Sequence, residues 1–285
     1  MLAKLRTFGS MIKFSHTIFA LPFALTGAIL AFYSYPFVWE KLGWIVLCMV
    51  GARTAAMGFN RIIDSDIDAK NPRTTDREIP AGKISKKEAT FYVIISIVLF
   101  VYSSYQLNLL CFQLSPVALI VVLGYSLTKR FTSLCHIVLG IGLALAPIGA
   151  WLAITGVFHV VPVIIGIGVL FWVAGFDIIY ASQDYEYDKS VGLHSIPVRL
   201  GLHRTLRLAQ FFHIIAFACF TAVYFLFVFS PIYLIGLVII GGIMIYEHRL
   251  VQPNDLSKVG MAFFGMNGTI SMIYFITVLL DFLLK

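Results

Sequence analysis

About nine apolar stretches, each near the roughly 20 residues a helix needs to cross a bilayer core, follow one another through the 285 residues with short polar connections between them. That pattern excludes an ordinary soluble domain. Hydrophobic residues make up 60% of the chain and charged residues 12%. Burying so much apolar surface inside a monomer of this size would leave large exposed patches, so lipid has to be the solvent. The stretches fall at about 14–33, 43–62, 88–108, 112–128, 134–154, 161–182, 207–229, 231–247 and 262–282. They predict one all-α, polytopic membrane domain over 1–285, with room for connecting loops and nothing else.

A formal net charge of +7 could in isolation suggest nucleic acid. The Lys and Arg residues, however, lie between the apolar stretches and not on one soluble face, so no nucleic-acid partner is expected and the charge reports topology instead. With connections assigned to alternate sides, one side takes nearly all the basic residues, and the other keeps only Lys41 and Lys285. Cytoplasmic loops carry such an excess, which predicts about nine spans with the N-terminus in the cytoplasm and the C-terminus across the membrane. Lys4, Arg6 and Lys13 precede the first stretch as in a secretory signal, but the stretch is long and lacks a small-residue cleavage site, so it is expected to stay as a first helix. Cys48, Cys111, Cys135 and Cys219 show no Cys-x-x-Cys spacing and read as inert buried thiols.

Two acidic runs interrupt the apolar plan. The first closes the second stretch. If the helix continues through it, Asn60, Asp64 and Asp68 stand at i, i+4 and i+8 along one side, while Asp66 points elsewhere. The second closes the sixth stretch, with Asp177, Asp184 and Asp188 at i, i+7 and i+11, again on a shared helical face. Both runs end helices that travel inward, so they open on the same side. Four helices separate them, which predicts two four-helix halves plus one further helix around a central, cytoplasm-facing cavity.

An ionised Asp at the middle of a helix in lipid costs about 2.5–3.5 kcal/mol, so several on inward faces call for something positive between them. The donors are carboxylates and an amide, with Gln183 nearby and no His or Cys at ligand spacing. Such an all-oxygen set suits Mg²⁺ over zinc or copper, and magnesium held by few carboxylates usually also holds phosphate oxygens. Simple solvation of a helix end is the better reading for Asp66, Asp76, Glu78 and Glu186. It leaves a three-member stripe, repeated on a second helix, without a reason.

Basic residues adjoin both runs: Arg73 and Arg77 after the first, Lys189 and Arg199 after the second, and Lys129 beside Arg130 between them at the same face. They are candidates for a diphosphate, Arg by forked hydrogen bonds and Lys as a point charge. The positive-inside bias already accounts for Lys83, Lys86, Lys87, Arg204 and Arg207. Arg53 is different, because it lies inside the second stretch, on the face of Asn60 and about 10 Å deeper by the helical rise. Topology does not explain a cation there; an anchor for the carboxylate of a small acceptor does, with a salt bridge to Asp177 as the alternative. Tyr125 and Lys129, at i and i+4, point together, and Tyr180 sits among the acids of the sixth stretch. His16 is as readily a packing histidine as a site residue.

These residues resemble the UbiA superfamily of intramembrane prenyltransferases, whose members carry an Asn-Asp-x-x-Asp-x-x-x-Asp motif and a second Asp-rich motif four helices later. Asn60, Asp64 and Asp68 match the first in order. Asp177, Asp184 and Asp188 can be laid on the second, and Tyr125 to Lys129 resembles the family's Tyr/Lys element. Arg61 stands where the usual motif has its first Asp, one acidic ligand fewer on this side. The run from Asn60 to Thr74 is similar to a branch assigned to quinone biosynthesis.

The resemblance implies a nine-helix protein of a bacterial cytoplasmic membrane, with the N-terminus and active site facing the cytoplasm. A polyprenyl diphosphate would be chelated through Mg²⁺ by Asn60, Asp64, Asp184 and Asp188, with Asp68 close by, its tail running into the bundle toward lipid. The implied reaction is prenyl transfer to the ring of a hydroxylated aromatic acid of the 4-hydroxybenzoate type, in ubiquinone or menaquinone biosynthesis. A dihydroxynaphthoate acceptor is the close rival. Asp177 would steer the acceptor hydroxyl or accept a proton, and Asp64 and Asp184 would be indispensable to turnover. From a different class, a multi-pass transporter for divalent cations or anionic metabolites would use similar charges. Transport sites usually sit near the bilayer midplane at broken helices, however, whereas these acidic runs finish helices on one side.

Overall fold

The computed structural model describes residues 2–285, apart from the side chains at positions 2, 3, 5, 14 and 15. The chain is 80% helix. Its α-helices are α1 Leu2–Met11, α2 Leu21–Phe32, α3 Trp39–Asp68, α4 Lys86–Leu107, α5 Leu109–Thr128, α6 Cys135–Thr155, α7 Val160–Ala181, α8 Tyr185–Ser190, α9 Ile196–Leu200, α10 Leu202–Leu226, α11 Pro231–Leu250 and α12 Asn267–Leu283. Among the described residues, eight helical segments are long and apolar enough to cross a membrane. The first expected span, about 14–33, takes another form: a 3₁₀ turn, Phe14–Phe19, followed by the short apolar helix α2. Arginines explain the break. Lys13 is left-handed (φ 50°), and the carbonyls around it are taken by α3, with Arg53 Nη2 donating to Ile12 O (3.1 Å) and Lys13 O (2.6 Å) and Arg61 Nε to Met11 O (3.4 Å).

Local chemistry sets the other boundaries. Ser85 and Glu88 close a reciprocal capping box at the start of α4, with Glu88 N–H on Ser85 Oγ (3.2 Å) and Ser85 N–H on Glu88 Oε2 (2.9 Å). Asn108 caps α5 by accepting from Cys111 N–H (2.8 Å), and its amide donates to Leu152 O (2.8 Å) and Ala153 O (3.2 Å), tying the turn to the end of α6.

Each long helix packs on the next in chain order, and α12 returns to α2, so the bundle closes as a ring. The sets α2–α5 and α6, α7, α10, α11 correspond to the two halves, each with an acid-ended second member, and α12 fills the gap between α11 and α2. Helix α2 also crosses α6 so closely that a Cβ on Gly27 would lie 2.2 Å from Pro147 O, which only glycine permits. The core is aromatic: Phe23 lies 5.2 Å from both Trp172 and Tyr274, and Phe220 lies 4.8 Å from Tyr274.

A polar network around Glu247 lies inside this apolar ring. Glu247 is wholly buried and accepts from Asn267 Nδ2 (2.7 Å), which also donates to Ala262 O (2.9 Å), while Trp172 Nε1 donates to Asn267 Oδ1 (2.6 Å). Asn267 thereby satisfies a carbonyl within the π-helical turn Met261–Met266 that leads into α12. That turn presents Phe263 to Tyr180 (4.2 Å between ring centroids), Phe19 (5.2 Å) and Phe176 (5.4 Å). Asn267→Leu is expected to destabilise the protein by about 2–4 kcal/mol, because Glu247 and Trp172 Nε1 lose their partners where no water replaces them. Thermal unfolding in detergent checks this, and an unchanged midpoint would mean the network does not brace the turn.

Candidate active site

Helix α3 runs through the first acidic run to Asp68, ten residues or so beyond a bilayer-length span, which carries the motif out of the apolar region as the spacing predicts. Asn60 Nδ2 donates to Asp64 Oδ2 (3.0 Å), the expected i, i+4 contact. Asp64 is buried and is also held by two cations, Lys129 Nζ (2.8 Å) and Arg130 Nη2 (3.0 Å), from the end of α5. Asp68, also buried, receives Arg77 Nη1 on both oxygens (2.7 and 2.8 Å). Asp66 is exposed beside Lys86 (2.9 Å), as expected for a solvated position.

The second run departs from the expected single helix. Helix α7 stops at Ala181, a 3₁₀ turn covers Ser182–Asp184, and α8 starts at Tyr185. A 3₁₀ turn advances about 120° per residue where an α-helix advances about 100°, so its three residues turn Asp184 and Asp188 by about 60° relative to Asp177 from the register of one continuous helix. Instead, Asp184 meets the loop after the first run. Asn71 Nδ2 (3.2 Å) and Arg73 Nε (2.8 Å) donate to its Oδ1, and Arg73 Nη2 to its Oδ2. Arg73 Nη1 also donates to the Tyr180 hydroxyl (3.1 Å), and Tyr187 Oη donates to Ile67 O (2.9 Å). Burial works against the Arg73 charge, but the bonds and charge of Asp184 more than offset it and hold the guanidinium above its ordinary range. The two acidic runs, far apart in sequence, therefore close on one another at one end of the bundle.

Deeper in, Asp177 keeps 22% side-chain exposure although Trp172–Phe176, Ile178 and Ile179 around it on α7 are buried, so it faces an opening. Arg53 does not pair with it. His136 Nδ1 does, at 2.7 Å from Asp177 Oδ2. Arg53 spends Nη2 on the carbonyls of Ile12 and Lys13, and its Nη1 is buried with no partner among the described residues. Tyr125 is half-buried and close enough to Arg61, Asp64 and Asp177 to feel their charges. His16 packs on Phe264 (5.3 Å), Phe19 (5.4 Å) and Phe263 (5.6 Å). Lys189 is not drawn to the acids; it is exposed, with its ammonium 5.7 Å from the Tyr185 ring centre.

Among the described residues no three of His, Cys, Asp and Glu stand together as an ion cage. The donors that converge are carboxylate and amide oxygens, one or two to each side of the mouth. Such a set fits Mg²⁺, which is commonly held by one or two carboxylates and completed by substrate phosphates.

The profile of the UbiA prenyltransferase family matches residues 20–271. The chain belongs to that family. It is an integral membrane prenyltransferase, as its apolar helices also require. A UbiA homologue from Aeropyrum pernix K1, solved in apo form, is 32% identical and superposes with a TM-score of 0.85 over 93% of this chain and 98% of that one. A more distant UbiA homologue from Archaeoglobus fulgidus, solved with GPP and Mg²⁺, shares the fold at 20% identity and a TM-score of 0.72, over 95% of this chain and 99% of that one. The 4-hydroxybenzoate octaprenyltransferase of Polynucleobacter asymbioticus is 30% identical over 74% of this chain and 73% of its own length. That of Vibrio parahaemolyticus is 25% identical over 97% and 94%.

Three site residues escape sequence pattern: Asn71, Arg130 as a direct partner of Asp64, and His136. Arg130 adjoins Lys129 and was legible as a basic neighbour. His136 carries no signal beyond being a lone titratable group at the start of an apolar stretch.

Proposed function

We propose that this UbiA family member transfers a polyprenyl group from a polyprenyl diphosphate to the ring of a hydroxylated aromatic acid of the 4-hydroxybenzoate type, as a step toward a ubiquinone or menaquinone. The observation that carries the reading is the closure of the two acidic runs through Asp184, Asn71 and Arg73, with Lys129 and Arg130 on Asp64. Four cations and four carboxylates at one mouth can trade partners with a metal-bound diphosphate. Asn60, Asp64, Asp184 and Asp188 would hold Mg²⁺, with Asp68 near; when bound, the metal neutralises charge building on the leaving diphosphate. Released from the carboxylates, Lys129, Arg130, Arg73 and Arg77 are free to take phosphate oxygens. The allylic carbon so exposed meets the aromatic acid below, where Arg53 Nη1 receives the acceptor carboxylate and Asp177 faces its hydroxyl edge. Phe263, Phe19, Phe176 and Tyr180 flank the path of the apolar chain, exclude water and favour a developing cation through their ring faces. The basic loops at this end favour the cytoplasmic side of a bacterial inner membrane.

The test incubates the purified protein in lipid with labelled polyprenyl diphosphate and either 4-hydroxybenzoate or a dihydroxynaphthoate, with Mg²⁺ or excess chelator. A lipid-soluble labelled aromatic product is expected only with metal, and with the first acid more than the second. Label that never reaches any aromatic acid would overturn the reading.

A further inference from the structure

We propose that His136 is a positioning residue for Asp177, holding one oxygen of that carboxylate so that the other stays free to take the ring proton of the aromatic acceptor. The inference rests on the prenyl-transfer reading above.

The acids of the two runs are not held alike. Lysine or arginine grips Asp64, Asp68 and Asp184, groups that a diphosphate would compete for. Asp177 lies two helical turns before Asp184, about 10 Å deeper by the helical rise, and its partner is a histidine. His136 is buried in the first turn of α6. The backbone N–H of Ile196 faces its Nε2 at 3.5 Å, which sets the ring plane and directs Nδ1–H at Asp177 Oδ2 (2.7 Å). The same connection is anchored to the diphosphate end, since His194 N–H donates to Lys129 O (2.9 Å). A carboxylate held through one oxygen by a fixed imidazole N–H, with an opening before the other, is oriented and keeps an oxygen for the ring proton, as a base must. Paired with Lys or Arg, it would be a poorer one.

The step balances. The allylic C–O bond breaks with its electron pair on the diphosphate, and a ring carbon ortho to the hydroxyl gives its π pair to the allylic carbon. The C–H proton of that carbon then passes to Asp177, restoring aromaticity and leaving a neutral carboxylic acid that sheds the proton to water as product leaves. His136 keeps its own proton throughout.

The experiment compares His136→Asn, whose side-chain amide can donate from the place of Nδ1, with His136→Gln, which keeps a polar group at the place of Nε2 instead. Both are assayed in lipid with 4-hydroxybenzoate and its ring-deuterated form. His136→Asn is expected to stay within about threefold of the parent kcat, and His136→Gln to fall about thirtyfold with both KM values within about threefold. In the Gln variant alone, a primary deuterium isotope effect should appear on kcat as proton loss becomes limiting. Equal rates for the two variants, or a slow Gln variant with the parental isotope effect, would make His136 a plain tie between α6 and α7 and overturn the proposal. If the parent protein prenylates no hydroxylated aromatic acid, the failure belongs to the functional reading instead.

Discussion

Asp64→Asn is expected to lower kcat for prenyl transfer by at least about a thousandfold, some 4 kcal/mol, while leaving the protein folded in the membrane. The carboxylate is buried and sits where Asn60, Lys129 and Arg130 converge. The amide keeps the shape but loses the charge, so the site no longer balances a divalent cation and Lys129 and Arg130 lose their counter-ion. Asp184→Asn should act as strongly from the other side, because Arg73 and Asn71 reach across to that residue and the change undoes the closure of the two runs. Turnover is measured with labelled diphosphate, alongside a thermal melt to separate catalysis from stability. Activity within tenfold of the parent in either folded variant would remove that residue from the diphosphate site.

The spans were legible because lipid imposes one requirement, a continuous apolar length, and hydropathy reports it directly. Helices α4 to α7 and α10 to α12 begin and end within a few residues of the apolar stretches. The first stretch defied the rule, since its fate depends on Arg53 and Arg61 reaching the carbonyls of Met11, Ile12 and Lys13 from a different helix. Such a contact leaves no periodic trace.

At the site, contacts within one helix were readable, and Asn60 with Asp64 stands as the spacing predicts. Contacts across the bundle were not. The approach of Arg73 to Asp184 spans more than a hundred residues of sequence, and the 3₁₀ turn at Ser182–Asp184 that aims the carboxylate follows from no residue pattern. Lys189 shows the converse: it adjoins an acidic run in sequence, yet it turns to Tyr185. Charge of the right sign beside a motif is a weak guide to who pairs with whom, because a flexible side chain within reach of several partners is settled by the third dimension.

Arg53→Leu is expected to reduce kcat/KM for 4-hydroxybenzoate about a hundredfold, roughly 3 kcal/mol for a charge-assisted contact, mainly through KM. The side chain has two jobs, and the design must separate them. Its Nη2 braces the carbonyls of Ile12 and Lys13, whereas the buried Nη1 has no partner and is the donor left for a ligand. If that donor meets the acceptor carboxylate, the loss must depend on the acceptor: an aromatic substrate in which a neutral amide replaces the carboxylate should be used about equally by parent and variant, and KM for the diphosphate should stay within about threefold. Arg53→Lys keeps the charge without the forked geometry and should fall between the two. If the carboxylate and the amide substrate lose activity in parallel, Arg53 serves only to brace the turn at Lys13, and the acceptor's acid group must be bound elsewhere.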